Sequence, residues 1–154
     1  MQGRHWVQIF QLIKAPHLKN SDTFTIVNLR EYHVQNYREE IQKIIEHANT
    51  ELKYQKRFEA IKKEWDSLEL QAIPYKGSTE QFILISTDSL VAQIEENLTQ
   101  LELIQQSKFS GHIGEEVEEW IVSLKQMLSN LELMVEAQRF WVNLDPIFEG
   151  EGLS

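Results

Sequence analysis

The sequence predicts a mostly α-helical fold: long antiparallel helices in an elongated bundle, with one small β-hairpin. Three observations predict it. Apolar residues recur at steps of three and four through three long stretches. Only six Gly and three Pro occur in 154 residues, so those stretches run without breaks. A single segment, about 68–86, switches to alternating apolar and polar residues around a turn-rich centre. Hydrophobic residues make up 42% and charged residues 25%, the balance of a globular chain that can bury a core.

The first helix is expected over about 4–14, where Trp6, Ile9, Phe10 and Ile13 share a face. Pro16 ends it by disfavouring helical backbone at Ala15. His17 to Thr23 reads as a polar loop, and a short turn follows with Thr25 as its cap. The next helix, about 36–67, carries Ile41, Ile44, Ile45, Ala48, Leu52, Phe58, Ile61 and Trp65 as one stripe leading to Leu68. Glu39–Lys43 and Glu59–Lys63 are spaced by four with the acid first, the favourable order. A helix of that size is a rod roughly 45 Å long. Residues 68–75 and 80–86 read as the strands of the hairpin, with Pro74 at a strand end or edge.

Thr87 or Asp88 is the expected cap of the helix at about 88–105, whose stripe is Leu90, Val91, Ile94, Leu98, Leu101 and Ile104. Ser107 to Gly114 reads as a loop. The last helix, about 115–143, has Val117, Trp120, Ile121, Leu124, Leu128, Leu131, Val135, Gln138 and Trp141 or Val142 on its stripe, and Asp145-Pro146 is expected to stop it. Glu115, Glu116, Glu118 and Glu119 fall in its first turns, where the helix dipole favours acids. No repeat of twenty to fifty residues is visible, and the chain is expected to form one compact unit.

The net charge is −9 and unevenly spread. Residues 88–154 hold thirteen acids against Lys108, Lys125 and Arg139, whereas residues 1–20 hold three bases and no acid. An acidic half repels phosphate backbones and argues against nucleic-acid binding. The longest apolar run, Phe82 to Ile85, is too short for a membrane span, and Gln8 and Gln11 interrupt what would be a signal-peptide core. Cys is absent, which removes disulfides, thiol nucleophiles and thiolate metal sites.

Catalytic patterns are also missing. None of the six glycines is followed by Lys, so no P-loop exists. There is no G-x-S-x-G and no H-E-x-x-H. His5, His17, His33, His47 and His112 show no i, i+4 pairing, so each is expected to be structural or superficial. The acids at 115–119 read as a solvated helix start, and Asn97-Leu98-Thr99 as a chance match to a glycosylation sequon. Trp65, Trp120 and Trp141 lie on apolar stripes and are expected to anchor the core, and Trp6 to anchor the first helix. The residues support a mechanical or binding module, with no expected catalytic, cofactor or metal site. A small enzyme assembled from His5, His112 and the acids is the alternative from the catalytic class.

Several pieces together resemble the dynein heavy chains, in the linker region that precedes the motor ring. The opening Gly3-Arg4-His5-Trp6-x-x-Ile9 resembles the family's R-H-W segment. Trp65 through Leu70 to Pro74-Tyr75-Lys76 resembles its pattern before a short hairpin. Glu118-Glu119-Trp120 with Leu124 resembles its E-x-W-x-x-x-L helix. The segment Gln138-Arg139-Phe140-Trp141-Val142-Asn143-Leu144-Asp145-Pro146-Ile147-Phe148 is similar to the family's Q-R-x-W-x-Y-L-E-P-I-F. Asn143 and Asp145 depart conservatively from Tyr and Glu, and Pro146 tilts the resemblance toward axonemal or intraflagellar-transport chains.

The resemblance implies a piece of the linker, residues 1–154 inclusive, acting as a non-catalytic lever in an ATP-driven microtubule motor. It implies that ATP and Mg belong to the parent motor and not to this segment. Expected partners are the AAA+ ring of the same heavy chain and other dynein subunits, with microtubules contacted indirectly. No nucleic-acid or membrane partner is expected. The implied location is the cytoplasmic cytoskeleton, with the ciliary or flagellar axoneme favoured. A lever would bend at His17–Thr23 and Ser107–Gly114, and the hairpin would meet the ring or another part of the linker. The alternative is a free-standing helical scaffold or adaptor that binds protein partners.

Overall fold

The structure, a computed structural model, describes residues 1–18 and 25–151. Among them are five α-helices: α1 (Gly3–Leu12), α2 (Ile26–Glu31), α3 (Arg38–Asp66), α4 (Thr87–Gln106) and α5 (Gly114–Glu151). Two strands, β1 (Ala72–Pro74) and β2 (Phe82–Leu84), pair antiparallel. The mostly helical fold with one small hairpin is therefore as the periodicity predicts. Where the sequence suggests one compact unit, the packing falls into two. One comprises Met1–Arg57 with Lys108–Gly111, the other Phe58–Ser107 with His112–Ser154.

In the first unit, Phe10, Ile13 and Ala15 are buried together, with Trp6, Tyr32, Tyr37 and Ile41 packed against them. The end of α1 explains why Ala15 is in the core. Lys14 adopts a left-handed conformation (φ 59°), its N–H donates to Gln11 C=O, and Ala15 N–H donates to Phe10 C=O. These two bonds close the last turn and satisfy carbonyls the helix would leave open. Pro16 then prevents continuation. Of the α3 stripe in this unit, only Ala48 is fully buried; Ile45 and Leu52 are exposed. The expected hinge at His17–Thr23 lies, from residue 19 on, outside the described residues.

In the second unit, the end of α3 contributes Phe58 and Ile61, both fully buried. Helices α4 and α5 supply the rest of the core through Ile94, Leu98, Leu101 and Ile104 facing Val117, Ile121, Leu124 and Leu131. They run antiparallel: Lys125, early in α5, pairs with Glu102 near the end of α4, while Glu132, Glu136 and Arg139 line one cleft with Thr87, Asp88 and Val91 at its start. Trp120 and Trp65 are only half-buried. Trp120 contributes an edge-to-face contact to Phe58, with centroids 6.0 Å apart.

Three boundaries differ from the sequence expectation, each for a local reason. The strands are three residues long, because β1 and β2 pair only from Ala72–Leu84 to Pro74–Phe82. The cap of α4 is Ser86, in the left-handed region (φ 57°) and without a side-chain capping bond; its hydroxyl bonds Gln71 instead. Finally, α5 does not stop at Asp145-Pro146 but passes through Pro146 to Glu151. Proline inside a helix removes one backbone bond and costs about 3 kcal/mol, so tertiary contacts must hold this turn.

Candidate functional site

Those contacts come from the hairpin. Its loop is closed by Tyr75 N–H donating to Gln81 C=O at 2.8 Å and Ser78 N–H to Tyr75 C=O at 2.8 Å. Lys76 (φ 48°) and Gly77 (φ 76°) make the reversal in the left-handed region, and the Ser78 hydroxyl accepts the Glu80 and Gln81 N–H groups. The turn thereby projects Tyr75 and Lys76 toward α5.

Three α5 positions receive the hairpin: 138, 141 and 145, spaced by three and four and so on one helix face. Gln138 meets Leu84 with both ends of its amide. Its Oε1 accepts the Leu84 N–H at 2.7 Å, and its Nε2 donates to the Leu84 C=O at 3.1 Å. Trp141 packs on the Tyr75 ring at 4.6 Å between centroids. Asp145 accepts from Lys76 Nζ at 2.8 Å. The Lys76 bond holds the Asp145 carboxyl below its ordinary range despite some desolvation, and a hydrogen bond from Tyr75 adds to it. Pro146 follows directly on this clamped turn.

A second constellation binds the opening motif to α3. His5 is buried, 3% exposed. Its Nδ1 accepts the Gln2 N–H at 3.0 Å, which leaves Nε2 to donate to Glu51 Oε2 at 2.9 Å. The same Glu51 oxygen receives Arg4 Nη2. Burial works to raise the Glu51 pKa, but the bonds and charge of Arg4 and His5 outweigh it and hold it below the ordinary value of 4.5. Gly111, in the left-handed region, sits against this carboxylate: a Cβ there would lie 3.4 Å from Oε1. The neighbouring Phe109 ring meets His47 edge-on at 4.2 Å. Trp6 stacks on Phe10.

The structure thus brings Tyr75, Gln138, Trp141 and Pro146 together in one unit, and His5 and Trp6 to a separate anchorage in the other. Trp120 braces Phe58. Trp65 borders a groove of about 520 Å³ with Leu70, Met127 and Met134, and its buried Nε1 has no hydrogen-bond partner. Arg139 lies at the α4–α5 cleft. Leu144 and Phe148 are exposed. Glu51 is not legible in the sequence, since nothing local links it to residues 46 positions earlier. Gln138 stands out there only as a polar residue on an apolar stripe, the pattern of a side chain that needs a buried partner. Asn97 is buried, 2% exposed, which leaves no room for a glycan.

Among the described residues, no group of three or more His, Asp or Glu is arranged to hold a metal ion, and no helix is long and apolar enough to cross a membrane. The sequence has no Gly-Lys pair, the ending of a P-loop. Of the signature residues, Tyr75, Gln138 and Trp141 join the hairpin to α5, and His5 joins α1 to α3.

Such a fold is a mostly helical module with a clamped hairpin and an ion-paired opening motif. Residues 1–154 match the family model described as dynein heavy chain, N-terminal region 2, and the chain belongs to that family. It is 31% identical to human dynein axonemal heavy chain 17 over 150 residues, 97% of this chain and 3% of the relative. It is 28% identical to mouse dynein axonemal heavy chain 2 over 153 residues, 99% of this chain and 3% of the relative. The ciliary dynein beta chain of Tripneustes gratilla is 29% identical over 150 residues, 97% of this chain and again 3% of the relative. The chain therefore spans a small fraction of the relatives it matches, and they are of the axonemal type.

Proposed function

We propose that this segment is a non-catalytic mechanical element of an axonemal microtubule motor, a piece of the linker that carries force from an ATPase ring located elsewhere in the heavy chain. The observation that carries the reading is the Gln138–Leu84 bidentate bond with its neighbours Tyr75–Trp141 and Lys76–Asp145. Three of the residues that mark the family in this sequence, Tyr75, Gln138 and Trp141, lock a hairpin to a long helix. A lever needs such locks, because a helix that transmits force must be braced laterally. ATP and Mg act, on this reading, in modules outside the segment. The partners are the ring of the same heavy chain and other dynein subunits, and the site of action is the cilium or flagellum.

The test is a Gln138→Ala substitution in the intact heavy chain. ATP binding and basal hydrolysis should persist while microtubule gliding slows. Loss of nucleotide binding would place the segment in the ATPase site and contradict the lever. Unchanged gliding would leave a passive scaffold as the better account.

A further inference from the structure

Helix α5 is apolar on two faces. One face is consumed by the core through Val117, Ile121, Leu124 and Leu131. On the opposite side, Leu133, Phe140, Leu144 and Ile147 follow at steps of seven, four and three, and so share a stripe of their own. They are 60%, 60%, 45% and 55% exposed. Four large side chains aligned on one helix, left in water, are more than the scattered apolar residues of an ordinary surface. A helix apolar on both sides is one that packs on both sides.

The charge around the stripe selects what packs there. Glu136 stands exposed between Leu133 and Phe140, and Glu132 one residue before Leu133; both border the cleft that Arg139 also lines, and no ion pair engages either Glu among the described residues. Over its length α5 carries nine acids against Lys125 and Arg139. A second copy would bring the same acids face to face, and an anionic membrane would be repelled. We propose that the outer face of α5 seats an amphipathic helix of a partner protein, with Leu-type residues opposing Leu133, Phe140, Leu144 and Ile147 and Lys or Arg on its flank opposing Glu132 and Glu136. This does not depend on the lever reading; a scaffold would carry the same face.

The probe is a synthetic helical peptide with Leu at heptad a and d positions and Lys at the flanks, compared with the same peptide carrying Glu there. Binding to the 154-residue chain is followed by calorimetry at low and high salt. The Lys peptide should bind about tenfold or more tighter than the Glu peptide, and lose that advantage in salt. Glu132→Lys with Glu136→Lys should reverse the preference. Phe140→Glu with Leu144→Glu should abolish binding without moving the thermal midpoint, since both positions are exposed. Equal binding of the two peptides, or binding that survives the Phe140/Leu144 change, overturns the proposal. A dimer of the unmodified chain that the same change dissolves assigns the face to a second copy and overturns it too. The intact heavy chain should also bind the Lys peptide. Failure there, with binding kept by the 154-residue chain, shows the face covered by the heavy chain's own helices and equally overturns a partner protein.

Discussion

Gln138 treats Leu84 as a neighbouring strand would, accepting its N–H at 2.7 Å and donating to its C=O at 3.1 Å. The two-stranded sheet thereby gains a side-chain substitute for a third strand on the outer edge of β2. A two-stranded hairpin is marginal in water by itself, and this edge is where an isolated one would be left unpaired. Replacing Gln138 by Ala leaves both Leu84 groups without that partner and should cost about 1–3 kcal/mol. Urea midpoints, with hydrogen exchange at the Leu84 amide, check this; an Ala variant with full Leu84 protection would show the clamp to be incidental.

Glu51 makes the first unit sensitive to acid. Its folded pKa lies below the ordinary 4.5, so the folded state favours the carboxylate. The resulting stabilisation is complete above 4.5 and is lost as pH falls through the lower folded value. A Glu51→Gln variant should therefore be less stable than the parent at neutral pH, and the gap should narrow as pH falls below 4.5 and through the folded value. Denaturant midpoints from neutral pH down to about pH 3 measure it. A gap that is constant with pH would show that the Arg4 and His5 contacts do not hold the carboxylate ionised.

Phe58 and Trp120 form an edge-to-face pair of unequal burial: Phe58 is fully enclosed, Trp120 half-exposed. Phe58→Ala should cost about 3–5 kcal/mol through the cavity it leaves. Trp120→Ala should cost less, because part of its surface is already exposed. The reverse order in chemical denaturation would mean that Trp120, not Phe58, fills the core.

Pro146 lies within α5 and removes the backbone bond that the carbonyl of Val142 would accept. The turn persists because Gln138, Trp141 and Asp145 are each held by the hairpin. Pro146→Ala should stabilise the last turns and raise helicity, read by circular dichroism. Lys76→Ala, which removes the Lys76–Asp145 pair, should then cost more helix in the parent than in a chain already carrying Pro146→Ala. Equal losses in the two backgrounds would show that the clamp does not hold the turn.

These contrasts show what the sequence conveys. The stripes of α4 and α5 are legible because Ile94, Leu101, Val117 and Leu124 follow the helical period, and burial follows the period. The hairpin is legible from the change of period and from Pro74 to Ser78. The continuation past Pro146 is not, since the contacts that permit it come from Tyr75 and Lys76, which lie far back along the chain. Glu51 is hidden for the same reason: one acid among the seven on α3 has no local mark of its partners Arg4 and His5. The cap of α4 falls one residue before Thr87 because the left-handed backbone of Ser86, not a side-chain bond, makes that start. The motif residues are recognisable as a set, but their role as clamps rests on the distances.

The central claim is that the clamp transmits force and takes no part in chemistry. The most direct measurement compares ATP turnover and microtubule gliding in an intact heavy chain bearing Gln138→Ala with Lys76→Ala. The account predicts near-normal basal ATP turnover with slowed gliding, the two uncoupled by loosening the hairpin from α5. Loss of turnover together with gliding, or full gliding speed with the clamp removed, would contradict it.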